Sequence, residues 1–257
     1  CRRQLGVGSK TPIPVLLSEC GQLPLYIICQ VKVVKYWLKI IFAQQNSLVK
    51  ACYEMMYDLS KNGRINWASK VKNLLYRYGF GIVWEHQYVY DTNRFLKDFR
   101  TRLHDCYYQN WNSIVEEMPK LRLYKQYKLC YVTENYLLCD IPRRFRLDLA
   151  RFRTSNSKLE VEMGRHLGLA IEDRVCKLCY ETKRVCIEDE FHVLINCPSY
   201  SSIREIYIGK VYTMYDFIQI MSSQNKNTQI RLSHFIHYMF LLRDLKLNML
   251  ITDRICV

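Results

Sequence analysis

Apolar residues recur every three or four positions along most of this chain, which is the spacing of an amphipathic α-helix. The clearest run begins after Asp91 and ends before Pro119. Its core stripe consists of Phe95, Phe99, Leu103, Tyr107, Trp111, Ile114 and Met118. We interpret these aromatic residues as core rather than as a platform for stacked bases. The pattern predicts a mainly α fold, a helical bundle with further helices towards the C-terminal end.

Start and stop signals place the other predicted helices. Thr11 and Pro12 suit the beginning of one helix, and Gly21 and Pro24 separate it from the next apolar run. Ser47 is a suitable N-cap for a third helix. The predicted helices lie at about 12–20, 25–42, 47–59, 67–78, 92–118, 142–153, 156–166, 213–222 and 228–250. Residues 137–141 fit either a short strand or an extended linker.

The chain of 257 residues is long enough for one or two domains, and 49% hydrophobic with 24% charged residues is typical of a globular protein. It begins at Cys1 without an initiator Met, and we interpret it as a piece of a longer protein. Eight of its twelve cysteines are scattered without disulfide-framework spacing, which indicates a reducing, intracellular compartment. The region closest to a membrane span, residues 232–251, contains Arg243, Asp244 and Lys246. We expect neither a membrane nor a small-molecule substrate among its partners.

The positive charge is concentrated in the first part of the chain. Residues 1–155 contain 25 Lys and Arg against 12 Asp and Glu, a net charge of +13. Residues 156–257 contain 13 against 12, a net charge of +1, and the whole chain carries +14. A basic region of this kind indicates a polyanionic partner, RNA or DNA. The alternative is that the excess charge serves only solubility.

A run of arginines between residues 142 and 153 alternates with apolar positions at helical spacing. On a helix, Phe145, Leu149 and Phe152 form an apolar stripe, and the arginines form a basic face. The guanidinium fork matches phosphate oxygens in pairs. The predicted nucleic-acid-binding residues are Arg143, Arg144, Arg146, Arg151, Arg153, Lys158 and Arg165. The alternatives are a solvated face or pairing with nearby acids such as Glu160 and Glu162.

The strongest chemical signal is a set of four metal-ligand residues with the spacing C-x2-C-x12-H-x4-C. The predicted ligands are Cys176, Cys179, His192 and Cys197. Thiolate and imidazole donors at such spacing form closed tetrahedral zinc sites, in which no position remains for water. The sequence therefore predicts a structural Zn²⁺ site in a small knuckle, not a catalytic one.

The second ligand pair constrains the local backbone. His192 and Cys197 are five residues apart, which on a regular α-helix places them roughly 140° from each other. Both can face one ion only if Cys197 lies beyond the end of the helix, and Pro198 favours such an end. The alternative is that these cysteines are ordinary buried thiols. Cys186 lies within the loop and is the alternative ligand.

Three groups of residues in this order resemble the zinc-knuckle tail of LINE-type (non-LTR) retrotransposon reverse transcriptases. They are Leu159-x2-Glu162-x-Gly164-Arg165, then Cys176-x2-Cys179, then Glu188-Asp189-Glu190-x-His192-x-Leu194-x2-Cys197-Pro198-x-Tyr200. The beginning of the chain resembles the segment that follows the polymerase core in the same family. That similarity lies in Leu5-Gly6-Val7, Glu19-x-Gly21-x2-Pro24-Leu25 and Lys35-Tyr36-Trp37. The resemblance covers roughly residues 1–205.

The resemblance implies that the parent protein is an RNA-directed DNA polymerase and endonuclease, acting in the nucleus on element RNA and a chromosomal target. Its C-terminal part would help to bind the template RNA or the target DNA. We accordingly divide the chain into a basic helical region that follows the polymerase core (1–155), a zinc-knuckle domain (156–205) and a C-terminal helical segment (206–257). The alternative function is a zinc-stapled helical module that binds protein and makes no contact with nucleic acid.

Catalysis is not expected from this chain. The palm motif of the family needs a Tyr-x-Asp-Asp whose carboxylates hold two magnesium ions, and the sequence contains no Asp-Asp pair. No endonuclease cluster of His, Asp and Glu is evident either. The acidic run Glu188-Asp189-Glu190 beside the knuckle would repel phosphate. We therefore expect the knuckle to be a scaffold and the neighbouring arginine helix to make the phosphate contacts.

Overall fold

The structure, a computed structural model, is mainly α-helical, which confirms the fold class predicted from the apolar spacing. It describes residues 1–9, 11–45 and 47–255, without the side chains of residues 251 and 253–255. Within these ranges, β-structure is limited to two isolated bridges, Cys20 with Thr133 and Val175 with Ile187. In the same part of the chain, no helix is both long enough and apolar enough to cross a membrane.

The chain forms two compact units, which we call unit 1 (residues 1–22 and 113–257) and unit 2 (residues 23–112). The unit boundaries differ from the predicted division at 155/156 and 205/206. The predicted zinc-knuckle region and the predicted C-terminal segment belong to one unit together with residues 1–22, and side-chain contacts such as that of Arg243 with Glu188 join the two segments. Unit 2 consists entirely of residues from the predicted basic region.

Unit 2 contains four helices and most of a fifth. They are α3 (Leu25–Ile41), α4 (Leu48–Lys61), α5 (Trp67–Arg77), α6 (Gly81–His86) and α7 (Thr92–Glu117), of which α7 continues into unit 1. Ser47 caps α4 by accepting a hydrogen bond from the Lys50 amide, as predicted. Asn66 and Ser69 form a capping box at the start of α5. The predicted stripe of α7 is buried from Phe95 to Trp111.

Unit 1 contains the remaining helices. They are α1 (Arg2–Leu5), α2 (Ile13–Glu19), α8 (Tyr124–Tyr127), α9 (Asn135–Leu138), α10 (Arg143–Arg153), α11 (Glu160–His166), α12 (Lys177–Tyr180), α13 (Ser201–Tyr207), α14 (Met214–Met221) and α15 (Lys226–Ile255). Gly21 ends the α2 region with a positive φ of 59°, where a Cβ atom would lie 2.4 Å from the Thr133 amide nitrogen. Of residues 137–141, which we predicted as a short strand or an extended linker, residues 137 and 138 end the short helix α9, and residues 139–141 form a linker that begins with Cys139 in an extended conformation.

The packing of α10 against α15 organises the centre of unit 1. Phe145, Leu149 and Phe152 are buried on α10, which confirms the predicted apolar stripe. Leu232, Phe235, Ile236 and Met239 are buried on the facing helix. The same long helix reaches the knuckle region, where Arg243 forms ion pairs with Glu188 and Glu160. Helix α15 thus connects the arginine helix with the predicted metal site.

Candidate metal centre and basic surfaces

The four predicted metal ligands converge on one point of unit 1. The ligand atoms of Cys176, Cys179, His192 and Cys197 all lie within 4.8 Å of one another, and all four residues are buried. Cys179 Sγ lies 3.4 Å from His192 Nε2 and 3.6 Å from Cys197 Sγ. Donors at the usual zinc bond lengths lie about 3.5–3.8 Å from one another in a tetrahedral shell. The cluster can therefore hold a metal ion.

The first ligand pair lies on a short hairpin-like turn. Val175 bridges Ile187, and the Cys176 amide donates to the Cys186 carbonyl at 2.7 Å. Helix α12 begins directly after Cys176, so that Cys179 returns to the same side. The Cys186 backbone thus supports the turn, while its half-buried thiol is not a member of the described cluster. This agrees with the predicted ligand set over its alternative.

The second ligand pair lies on a π-helical turn from His192 to Asn196. The Cys197 amide donates to the His192 carbonyl at 2.7 Å, which closes an i→i+5 hydrogen bond. Cys197 itself lies beyond the turn with extended dihedral angles, as Pro198 predicted. The wider turn brings two residues at a separation of five to one side, which a regular α-helix does not do.

Side chains from both ends hold this π-helical turn. Asp189 accepts a hydrogen bond from the His192 amide at 2.7 Å at the start of the turn. Arg204 donates to the carbonyls of Leu194 at 2.7 Å and Cys197 at 2.8 Å at its end. Because carbonyls at a helix end lack partners within the helix, Arg204 satisfies groups that burial would otherwise leave unpaired. The ligand geometry is therefore fixed by the protein.

Their surroundings keep the thiols of Cys176 and Cys179 in the neutral form when no ion is bound. A hydrogen bond with Cys197 and then burial raise the pKa of Cys176, and burial followed by the nearby Cys176 raises the pKa of Cys179 to about 11. An ion that coordinates these thiols would displace their protons, because a coordinating thiol is deprotonated. Cys179 and His192 also line a surface depression of about 280 Å³, which gives an ion access from solvent.

The acidic run next to the knuckle is directed inward. Glu188, Asp189 and Glu190 are all buried. Glu188 accepts two hydrogen bonds from Arg243, at 2.7 and 2.9 Å, and Asp189 pairs with Arg122 at 2.5 Å. The expected repulsion of phosphate by an exposed acidic surface is thus not a property of Glu188 and Asp189, because a cation neutralises each of them.

The structure separates the predicted arginine face into three groups. Arg143 and Arg144 are exposed at the start of α10, and the described residues place no carboxylate within 4 Å of either. Arg146 is half-buried. Arg151 pairs with Asp148 at 3.2 Å and donates to the Gly6 carbonyl at 2.8 Å. The alternative of pairing with nearby acids is therefore correct for part of this helix.

Arg153 does not belong to a phosphate-binding face, and the prediction for this residue needs correction. Its side chain is fully buried and lies 3.0 Å from a Glu19 oxygen and 2.6 Å from a Glu134 oxygen. It also donates to the Met221 carbonyl. The two acids lie far away in the sequence, so the helical spacing of Arg153 with Arg146 did not reveal its environment.

The two remaining predicted residues also have acidic partners. Lys158 lies 3.1 Å from an Asp244 oxygen, and both side chains are largely exposed. Arg165 lies 2.7 Å from Glu162, which in turn lies 3.7 Å from the Lys120 ammonium group. The exposed pair of Lys158 with Asp244 exchanges readily with solvent and contributes little stability. Lys158 is therefore accessible to a phosphate, whereas Arg165 is already engaged.

A basic surface that the sequence reasoning did not single out lies on α3. Lys32, Lys35 and Lys39 are exposed there. The signal was present in the sequence, because these lysines recur at i, i+3 and i+7 in a helix of 17 residues without Asp or Glu. We predicted α10 as the phosphate-binding helix instead, because residues 142–153 are richer in arginine.

No protein-family model matches this sequence, and neither a curated protein nor a solved structure matches it.

Proposed function

We propose that this chain is a non-catalytic, nucleic-acid-binding region, stabilised by zinc, of a LINE-type retrotransposon reverse transcriptase. The observation that carries the proposal is the number of exposed Lys and Arg side chains that have no carboxylate within 4 Å among the described residues, in a chain of net charge +14. The resemblance of the knuckle and of the opening residues to that family supplies the biological context. Template RNA or target DNA is the polyanion that such a region would bind.

Zinc is the proposed ion because the donor set is three thiolates and one imidazole. Soft sulfur donors in a tetrahedral arrangement select zinc over calcium or magnesium, which prefer oxygen. Four protein ligands complete the shell and leave no position for a reacting water. The role proposed for the ion is therefore structural: it fixes the turn at residues 174–188 to the turn at residues 192–197.

We propose a non-catalytic role because the sequence lacks the paired carboxylates that hold catalytic magnesium ions. A purified sample should accordingly show no primer extension with magnesium or manganese. Template-dependent synthesis by a clean preparation would contradict this part of the proposal.

Nucleic-acid binding is tested by fluorescence anisotropy with a labelled single-stranded oligonucleotide at a series of salt concentrations. The logarithm of the association constant should fall linearly with the logarithm of the salt concentration, by about 0.7 for each phosphate contact. Absence of binding at low salt would refute the proposed function. Binding that does not depend on salt would contradict the proposed phosphate contacts.

A further inference from the structure

The exposed face of α3 combines features that point to a specific ligand. Lys32, Lys35 and Lys39 form a stripe along one side of the helix, because positions i, i+3 and i+7 lie on one face. With a rise of 1.5 Å per residue, the stripe extends over about 10 Å of the helix axis. The opposite face is buried and includes Val34, Trp37 and Leu38. The helix is therefore held by its apolar face, and the lysines remain outside.

No carboxylate of the described residues lies within 4 Å of the lysines of this stripe. Among residues 23–45 and 47–112, one salt bridge joins two side chains, that of Lys61 with Asp58. Unit 2 contains 13 Lys and Arg against 6 Asp and Glu, a net charge of +7 over 90 residues. The helix itself contains no acid. The stripe therefore presents uncompensated positive charge, which attracts a polyanion.

Half-exposed aromatic rings lie beside the lysines. Tyr36, between Lys35 and Lys39 in the sequence, is 53% exposed, and its ring contacts the Trp67 ring edge-on with centroids 5.9 Å apart. Phe42, after the end of the helix, is 47% exposed and contacts Tyr88. These neighbours support each ring from one side and leave part of it open. Such rings provide stacking platforms for unpaired bases.

We infer that the α3 stripe holds a single-stranded segment of nucleic acid, with phosphates at Lys32, Lys35 and Lys39 and bases stacked on Tyr36 and Phe42. This inference rests on the proposed nucleic-acid binding and assigns it to a surface. A single strand fits better than a duplex, because only unpaired bases expose their faces to aromatic side chains.

The test compares two triple variants with the same change in net charge. One removes the stripe (Lys32→Gln, Lys35→Gln, Lys39→Gln), and the other removes three lysines that are paired with carboxylates (Lys61→Gln, Lys125→Gln, Lys177→Gln). Binding of an oligothymidylate of about 16 nucleotides is measured against salt. Loss of three phosphate contacts should lower the salt slope by about 2 in the stripe variant. The control variant should keep the slope of the wild-type protein.

A ring variant tests the stacking separately. Tyr36→Leu keeps an apolar side chain and the stripe, so the affinity should fall about tenfold while the salt slope stays unchanged. A duplex of the same length should bind the wild-type protein more weakly than the single strand, and circular dichroism should show the same helical signal in every variant. Anionic vesicles should not compete with the single strand.

These outcomes distinguish a failure of the assignment to α3 from a failure of the proposed nucleic-acid binding. If the wild-type protein binds and both triple variants lose the same slope, binding follows net charge and the inference is wrong, although nucleic-acid binding stands. The same conclusion follows if the duplex binds more tightly or if vesicles displace the strand. If the wild-type protein does not bind at all, the proposed function fails and the inference fails with it.

Discussion

The two compact units differ in how many of their Lys and Arg side chains are paired with carboxylates. Unit 1 contains 25 Lys and Arg, and ten of those among its described residues lie within 4 Å of a carboxylate. Unit 2 contains 13, of which Lys61 alone has such a partner in the described ranges. Yet both units carry the same net charge of +7. Net charge therefore does not tell how many cations of a unit are available to an anionic ligand, because the availability of each cation depends on its partners.

The interiors of the two units also differ, because unit 1 buries charged side chains and unit 2 buries apolar ones, several of them aromatic. Unit 1 buries ions: Arg153 pairs with Glu19 and Glu134, and Lys128 pairs with Glu134 at 2.6 Å. Such groups are costly to remove from water and are tolerated only with good partners. Unit 2 is held by rings, among them a stacked Trp37–Trp84 pair with centroids 6.0 Å apart. An aromatic core leaves the cations outside, where a polyanion can reach them.

Removal of the proposed zinc ion should have the largest effect, and only in unit 1. Metal binding free energy at such sites is largely folding free energy, on the order of 10–16 kcal/mol apparent in small zinc fingers. Chelation should therefore expose the amides of residues 174–200 to hydrogen exchange while those of α3 and α7 stay protected. Hydrogen exchange resolved by segment provides the measurement.

Matched variants identify the ligands. Cys176→Ser should lose zinc and Cys186→Ser should retain it, because only the former belongs to the cluster. Metal analysis that gives the reverse pattern would overturn the ligand assignment.

Replacement of Arg153 should be the next largest effect. Arg153→Gln leaves the fully buried Glu19 without its paired cation and removes one of the two cations that contact Glu134, which typically costs about 3–5 kcal/mol. Urea denaturation should show this loss in the free energy of unfolding of unit 1. Arg143→Gln, at an exposed position on the same helix, should stay within about 0.5 kcal/mol. Equal effects of the two variants would show that the buried pair is not important.

Low pH should also weaken the ion pair of Arg153 with Glu19, because it protonates the Glu19 carboxylate. Burial raises the pKa of Glu19, but the charge and hydrogen bonds of Arg153 outweigh it and hold the pKa below the ordinary value of 4.5. The stabilisation is complete above that value and is lost as the pH falls through the lower folded-state pKa. Hydrogen exchange at about pH 3.5 should thus show weaker protection around Glu19 than at neutral pH. Protection that falls equally in α3 would contradict the contrast between the units.

A smaller effect is expected in the aromatic core of unit 2. The Trp37 indole donates to the Tyr53 hydroxyl at 2.8 Å, and both side chains are buried. Tyr53→Phe leaves the indole N–H unpaired, which should cost about 1–3 kcal/mol. Tyr90→Phe, at a ring 94% exposed, is the control and should have almost no effect. Thermal unfolding curves of the two variants decide whether this hydrogen bond matters.

The smallest effect should come from the exposed salt bridge of unit 2. Lys61 and Asp58 lie 3.4 Å apart, three residues apart on α4, and both are largely exposed. Pairs of this kind contribute about 0.2–1 kcal/mol because water and salt screen them. Lys61→Gln should change the free energy of unfolding by no more than this. A larger loss would mean that unit 2 depends on ion pairs as unit 1 does.

The sequence predicted those features that depend on residues close together in the chain. Helix α7 follows from a seven-residue apolar stripe, and the N-cap of α4 follows from Ser47. The ligand set follows from spacing within 22 residues, and Pro198 indicated that Cys197 lies outside the turn. The π-helical form of that turn was not predicted, because the expectation assumed the geometry of a regular α-helix.

Features that depend on distant residues were missed. Arg153 looked like part of an exposed face, but Glu19 lies 134 positions away and draws it into the core. Arg243 neutralises Glu188 from a distance of 55 positions, so an acidic run that looked repulsive is an internal pair. Helical periodicity assigns a residue to one side of its helix, but it does not tell what packs there.

The sequence by itself thus determined the longer helices, the four residues of the candidate metal cluster and the total charge, because each follows from local spacing or from composition. Only the tertiary structure decided which cations are free to meet a phosphate. The physical reason is that a charge is neutralised by whatever lies within a few ångströms in space. In this protein those neighbours come from helices far apart in the chain for Arg153, whereas the lysines of α3 have none among the described residues.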